Sequence, residues 1–367
     1  MPKLDLVGIS KQYGKIEALD NVSLHINNKE YVCIIGPSGC GKSTLIKCIA
    51  GIIQPDQGQI LIDDQPVNTL LIEDRKIGYV FQDIALFPHM TVRENLAYGL
   101  TVRGTKSGQI ATVTNEMLDL ISMRERSKSL PLELSGGAQQ KVAVARAIAT
   151  GSYLFLLDEP LGALDALVRA ELRYELKRLA SDLGLTIIHV THDQEEALSI
   201  ADRLVVMKRG RIVEIGKPAD IYFSPKTLFA ENFVGETNLL EGRVVEVGEG
   251  STVVEIGGQR ITVPDHGRKE GDRVVVSIRP ESIALAPSTR LGPKMWSGKV
   301  DQVTFLGSIT RYRVTIEDGV ELVAHVPVTS EKEFDVGESV DLLVDQVKHM
   351  LLFDYPAEGL EREIALE

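Results

Sequence analysis

Leu134-Ser-Gly-Gly-Ala-Gln-Gln-Lys141 stands between a glycine-rich loop, Gly36-Pro-Ser-Gly-Cys-Gly-Lys-Ser-Thr44, and an acidic strand end, Asp158-Glu159. The outer two stretches already make one site for a phosphorylated ligand. The loop's glycines let its backbone curl so that consecutive N–H groups face phosphate oxygens, and the helix after it adds its positive end. The middle stretch is a second glycine-rich turn opening a second helix, with its own free N–H groups. One nucleotide pocket has no obvious use for it. The turn is therefore expected to complete the site of a partner subunit.

Strand-like and helix-like runs alternate outward from these motifs up to about Gly216. Residues 31–35 read as a short buried strand and 42–50 as the helix after it. Further short apolar strands are read at 78–81, 153–157 and 186–191, with helical spacing over 167–183. Such alternation implies a parallel sheet with crossover helices. Residues 95–126 are helix-like and polar, and read as part of a helical subdomain, about 90–150, that leads into the Ser135 turn. Lys208-Arg209-Gly210-Arg211 reads as a hairpin turn. After about Gly235 the pattern changes to short, often alternating segments at 243–247, 252–256, 260–263, 274–278, 298–303 and 309–316. Glycines and charges separate them, which argues for one or two small β-barrels. The expected fold is an α/β P-loop NTPase domain over 1–235 with an inserted helical subdomain, then a smaller all-β domain over 236–367.

A length of 367 residues suits two domains. The net charge of -12 argues against nucleic acid as the main partner, because phosphate backbones demand a basic face. It does not exclude ATP, whose site is built locally from N–H groups, one lysine and a metal. Cys33, Cys40 and Cys48 form no metal-ligand or disulfide spacing, so a reducing compartment is expected. No apolar run follows Lys3 and Asp5, so no signal peptide is expected, and no stretch approaches the roughly 20 apolar residues of a membrane helix. Any membrane role is then played through partners.

Gly36, Pro37, Ser38, Gly39, Cys40, Gly41, Lys42, Ser43 and Thr44 fit the P-loop pattern in full, after a strand and before a helix. Lys42 should reach the β- and γ-phosphates and Ser43 should hold Mg²⁺, with Cys40 a small filler. Asp158 and Glu159 end an apolar strand on the side where open parallel sheets bind ligands. Strand alternation aims them differently, Asp158 toward the metal and Glu159 toward an attacking water. The plainer alternative is an acidic pair capping the next helix. Ser135 is a natural helix N-cap. Gly136 and Gly137 exceed what a cap needs and suit close approach of backbone to a ligand.

The order Tyr13, P-loop, Gln82, Leu-Ser-Gly-Gly, Asp158-Glu159, Gly162-Ala-Leu-Asp165 and His192 resembles the ABC ATPase family throughout 1–235. The resemblance implies a head-to-tail dimer in which each P-loop site is capped by the other copy's Ser135, Gly136, Gly137 and Asp165. It also implies that Tyr13 stacks on adenine and that His192 contacts the γ-phosphate. Gln82 senses Mg²⁺ and water in that family, so the implied metal set is Ser43, Gln82 and Asp158, and the catalytic set Glu159, His192 and Gln82. Read alone, Tyr13 is a core or surface tyrosine, Gln82 a solvated loop residue and Asp165 an acid at a helix N-terminus. His189 alternates away from His192 and reads as a packed strand histidine. Three positions depart from the family pattern: Ala138 for Gln, Lys141 for Arg and Gly162 for Ser.

The stretch 83–100, with Leu86-Phe-Pro-His-Met90, resembles the segment that receives the membrane subunits, or else packs the helical subdomain. Gly235-Glu-Thr-Asn238 and Arg279-Pro-Glu281 resemble the OB-like TOBE extension of importer ATPases for polyamines, ferric iron, sulfate and maltose. The likeness implies a peripheral ATPase subunit at the cytoplasmic face of the inner membrane. Its implied partners are two membrane-spanning permease subunits, a second copy of itself and, indirectly, a solute-binding protein. A polyamine-like or ferric-type solute is the family-level expectation. A soluble, non-transport ABC ATPase acting on ribosomes or DNA is the alternative. Such proteins often carry two cassettes, long coiled coils or basic arms, and none of these is visible here. A lone P-loop kinase or GTPase leaves 134–137 unexplained.

Overall fold

The chain begins with a hairpin whose alternation is broken twice. In β1 (Leu4–Tyr13), Leu4 and Leu6 are buried, but so is Ile9, so the inward parity flips along the strand. Gly8 takes φ 63°, and the register with β2 (Ile16–Ile26) shifts between Leu6 and Ile9. Asn21, at φ 51°, lies in a second irregularity, between the Ile9–Val22 and Lys11–Leu19 pairs. One extra residue in a strand flips every later side chain to the other face. The chain then leaves for β3 (Tyr31–Ile35) and helix α1 (Lys42–Ala50), and returns as β4 (Gln57–Ile62) beside β1, followed by the two-residue β5 (Gln65–Pro66). The result is an antiparallel sheet in the order β2-β1-β4-β5, which the sequence reading did not anticipate.

The expected parallel sheet is present beside it. β6 (Ile77–Val80) leads to helices α2 (Val92–Val102), α3 (Ser107–Leu120) and α4 (Gly136–Ala149). Thr91 and Glu94 close a reciprocal capping box at the start of α2, which satisfies N–H groups the helix itself cannot. The chain re-enters as β7 (Leu154–Asp158), α5 (Ala166–Leu183), β8 (Thr186–Val190), α6 (Gln194–Ile200), β9 (Arg203–Lys208) and β10 (Arg211–Gly216). The sheet order is β10-β9-β3-β8-β7-β6, parallel throughout except for β10, which forms the expected hairpin with β9. Strands β3, β7 and β8 are buried at every residue, as parallel strands covered on both faces must be.

Helices α7 (Pro218–Phe223) and α8 (Leu228–Phe233) follow, then, among the described residues, ten strands and one more helix. The strands are β11 (Asn238–Gly248), β12 (Ser251–Ile256), β13 (Gln259–Pro264), β14 (Arg273–Ile278), β15 (Ile283–Pro287), β16 (Trp296–Phe305), β17 (Ile309–Ile316), β18 (Glu321–Pro327), β19 (Ser339–Val344) and β20 (Met350–Asp354), before α9 (Leu360–Ile364). They make two antiparallel sheets, β13-β12-β11-β14-β20 and β15-β19-β16-β17-β18. Both sheets feed one core that includes Val254, Val276, Trp296, Tyr312 and Leu342. Asn238 stitches them together: its amide donates to the Ile278 and Val323 oxygens, and its own oxygen accepts from the Val323 N–H.

The computed structural model describes residues 3–83, 85–162, 164–264, 267–288, 295–316, 319–330, 332–344 and 350–366. The chain forms two compact units, 1–221 with 366–367, and 222–365. The division falls earlier than the expected 235/236, for a physical reason. Glu231 on α8 is buried and accepts from Arg279, at 2.8 Å, and from Ser277, which ends β14 with Ile278. Tyr222 donates to Glu281 at 2.6 Å, and the Arg279 guanidinium lies 4.4 Å from the Tyr222 ring centre. Residues 222–235 thus belong with the β unit. The motif Arg279-Pro-Glu281 is the hub of that attachment.

Candidate active site

Helix α1 opens from a loop held in its curl by the protein around it. Lys42 is buried and donates from Nζ to the backbone oxygens of Gly36, at 2.7 Å, and Pro37, at 2.8 Å. The Gly210 N–H, in the β9–β10 turn, donates to the Cys40 oxygen at 2.9 Å. Gly41 caps α1 at φ 105°, and a Cβ there would lie 2.3 Å from the Ala18 oxygen on β2. Ser38 and Gly39 are exposed, while Ser43 and Thr44 are half-buried behind them. No acidic side chain sits in the first turn of α1, so the helix itself adds no negative charge to its positive end. Burial raises the pKa of the Cys40 thiol, which leaves it a packing residue and not a thiolate.

Behind the loop, β7 ends at Asp158, which is buried. Ser43 Oγ lies 3.4 Å from one Asp158 oxygen, and the Tyr79 hydroxyl donates to the other at 2.9 Å. Burial and then the Asp158 charge raise the Tyr79 pKa, so the phenol remains a donor. Tyr79 escaped the sequence reading. Its signal was a hydroxyl-bearing residue in the otherwise apolar strand β6. Oxygen atoms from Ser43 and Asp158 side by side suit a hard divalent cation.

Glu159 follows at φ 46°, a left-handed conformation that costs a non-glycine residue about 1–3 kcal/mol. This turn, and not strand alternation, separates the two carboxylates. The Glu159 N–H donates to the Val190 oxygen at 2.9 Å, which pins the turn to β8. His192, just past β8, places Nδ1 3.0 Å from Glu159 Oε2. Gln82, just past β6, donates from Nε2 to the same oxygen at 3.4 Å. Three residues from three strand ends therefore meet at one carboxylate oxygen. The structure brings Gln82 to Glu159; among the described hydrogen bonds it has none to Ser43 or Asp158. His189 lies inside, with Nδ1 3.0 Å from the Tyr31 hydroxyl, and burial lowers its pKa to about 3. It stays neutral and packed.

The Ser135 turn forms a separate cluster. Ser135 Oγ accepts from the Ala138 N–H at 3.4 Å, so the N-cap is real. Its two glycines also have a packing reason within the chain itself. A Cβ on Gly137 would lie 2.6 Å from Val168 Cγ1, and one on Gly136 would lie 3.1 Å from Leu164 Cδ2. A side chain at Gly137 would therefore push Val168 of α5 aside, and one at Gly136 would need Leu164, just before α5, to give slightly. Ser135 and Gly136 nevertheless remain exposed. Asp165 caps α5 by accepting from the Val168 N–H at 3.0 Å. Lys141 pairs with Glu175 of α5 at 2.8 Å. Tyr13 ends β1 exposed, with the Lys11 ammonium 5.6 Å from its ring centre.

Gly162 stands where the family pattern has Ser, with room for a Cβ at van der Waals contact. A Cβ there would lie 3.5 Å from the Glu159 oxygen and 3.9 Å from both Glu159 Oε2 and His192 Cε1, which are ordinary contacts. Ala163, next to it, is outside the described residues, as is Ile84 in the 83–100 stretch. Gly162→Ser is expected to keep steady-state ATPase activity within about twofold of the parent. In that same 83–100 stretch, Asn95 is fully buried and clamps the 87–91 loop: it accepts from the Phe87 N–H and donates to the Phe87, Met90 and Thr91 oxygens. The Phe87 ring packs 4.3 Å from that of Tyr98, centre to centre, while Pro88 and His89 stay exposed.

A family model described as ABC transporter matches residues 19–162, and one described as TOBE domain matches 276–352. A Thermotoga maritima protein, the spermidine/putrescine import ATP-binding protein PotA, is 41% identical over 322 residues, 86% of this chain and 88% of its own. The chain belongs to the ABC transporter ATP-binding family. The Nitrosomonas eutropha PotA is 38% identical over 364 residues, 97% of this chain and all of its own length. Among solved structures, an ATP-binding cassette dimer in a post-hydrolysis state with ADP and phosphate is 33% identical at a TM-score of 0.53. It covers 59% of this chain and 98% of that one. CbiO1 of Clostridium perfringens, part of an ABC transporter complex, is 29% identical at a TM-score of 0.57, covering 63% and 92%. As an ABC transporter ATP-binding subunit the chain is an ATPase, with a nucleotide-binding unit and a TOBE extension.

Proposed function

We propose that this ABC importer ATPase powers uptake of a polyamine-class organic cation, working as one half of a head-to-tail pair. The observation that carries the chemistry is the meeting of His192 and Gln82 at Glu159 Oε2, beside the P-loop and Asp158. Residues 36–44 bind the ATP phosphates through their N–H groups, and Lys42 turns from the loop oxygens to the β- and γ-phosphates. Mg²⁺, held by Ser43 and Asp158 with Gln82 at its edge, would supply charge neutralisation on those phosphates. Glu159 accepts a proton from the attacking water as the water oxygen bonds to the γ-phosphorus and the β–γ bridging oxygen leaves. His192 holds the Glu159 carboxylate in place and faces the γ-phosphate. Tyr13 stacks on adenine.

In the pair, Ser135, Gly136, Gly137 and Asp165 of each copy close the other copy's site. ATP then links the two copies through N–H donors, a hydroxyl and the positive end of α4, and hydrolysis weakens the link. Two membrane-spanning permease subunits dock on the 83–100 stretch and hold the ATPase at the cytoplasmic face, while a solute-binding protein delivers cargo to them. Among the described residues no helix is long and apolar enough to cross a membrane. The relatives from Thermotoga maritima and Nitrosomonas eutropha, both named as spermidine/putrescine import proteins, support the solute class. The test is uptake of labelled spermidine by cells lacking their own polyamine import and supplied with this chain and its two permease subunits. Uptake that Glu159→Gln abolishes is expected. Uptake of ferric iron without spermidine would overturn the solute assignment.

A further inference from the structure

The start of α5 touches both halves of the site, and one side chain there binds the two sides together. Arg169 donates from Nη1 to Asp193 Oδ2 at 2.9 Å and from Nη2 to the Leu164 backbone oxygen at 3.0 Å. On one side, Asp193 follows His192 directly and caps α6, its other oxygen accepting from the Glu196 N–H at 2.9 Å. The Asp193 N–H also donates to Thr191 Oγ1 at 3.0 Å, so the backbone flanking His192 is held from both directions. On the other side, Leu164 and Val168 are the side chains that press against Gly136 and Gly137 of the Ser135 turn. A planar guanidinium fixes the angle between its two acceptors, which an ammonium cannot do.

We propose that Arg169 is a positioning residue that locks the backbone at Leu164 to the N-terminus of α6, so that a change at the Ser135 turn reaches His192 and Glu159. It acts through Leu164 and Asp193 and touches no reacting atom. The idea rests on the proposed reading in which the Ser135 turn closes the partner copy's site and Glu159 activates water.

The experiment compares kcat, KM for ATP, the Hill coefficient and the melting temperature of the full chain with those of Arg169→Ala, Arg169→Lys and Asp193→Asn. Arg169→Ala is expected to lower kcat by about 10- to 100-fold, as small misplacements of catalytic groups do, with KM within about twofold. Its Hill coefficient should fall toward one. Arg169→Lys should recover only part of kcat. Asp193→Asn keeps the cap oxygen but removes the charge, and should reproduce the kcat loss; the double variant should be no worse than Arg169→Ala. An unchanged kcat, strictly additive losses, or a kcat loss that only tracks a lower melting temperature would overturn the proposal. So would a Hill coefficient of one in the parent. Should Arg169→Ala not fold, parent-like kcat in Asp193→Asn overturns it. Glu159→Gln in the same assay separates the two ideas: if that variant stays active, the site reading has failed and not the role of Arg169.

Discussion

Glu159→Gln is expected to lower ATP turnover by about 10²–10⁴-fold, the usual reach of a general base, while ATP binding is kept. The amide matches the carboxylate in shape, keeps an oxygen to accept from Gln82, and cannot take a proton from water. The backbone turn at φ 46° and its N–H contact with Val190 do not depend on the side chain. The fold should therefore be unchanged. With hydrolysis blocked, the nucleotide that joins two copies persists, so the variant should elute as an ATP-dependent dimer in gel filtration. Parent-like turnover would remove Glu159 from its assigned role and return the strand end to a capping function.

Gly41→Ala should lose nucleotide binding and much of the stability of the first unit. At φ 105° a side chain is strained, and here it would also meet the Ala18 backbone oxygen at 2.3 Å. A main-chain oxygen in a paired strand has no rotamer by which to move aside. Strain of this kind costs about 1–3 kcal/mol, and forced overpacking about as much again. Relief must come from the loop itself, which would swing the α1 N-terminus and Lys42 away from their present aim. Chemical denaturation should show the loss, and equilibrium binding of a fluorescent ATP analogue should show the missing site. Parent-like binding and stability together would mean that the loop tolerates a side chain at Gly41 and that its curl is not what positions the ligand.

The central strands were legible because a strand buried on both faces is a plain apolar run, and β3, β7 and β8 begin and end within a residue of the expected limits. The N-terminal sheet was not legible, because the irregularities at Gly8 and Asn21 scramble the period-two pattern that marks a half-buried strand. In the β unit, β19 was missed for a related reason: Asp341 is buried within it and accepts from Ser297 at 2.7 Å, so a charge interrupts its apolar run. At the site, the phosphate loop and Asp158-Glu159 could be read from residue types alone. The meeting of Gln82, Glu159 and His192 could not, since three separate strand ends create it. Spacing along the chain said only that each stood after a strand. Gly136 and Gly137 carry a packing reason that residue types did not reveal: side chains there would displace Leu164 and Val168.

Helix α8 is covalently a spacer but electrostatically part of the β unit, since its buried Glu231 neutralises Arg279. Breaking such a pair by removing one partner costs about 3–5 kcal/mol. A lineage that recombined this extension onto another ATPase at the apparent seam near 235 would inherit Arg279 without its counter-charge. Exchange of the module is physically permissible only if the junction lies upstream, so that Tyr222 and Glu231 travel with the strands they secure.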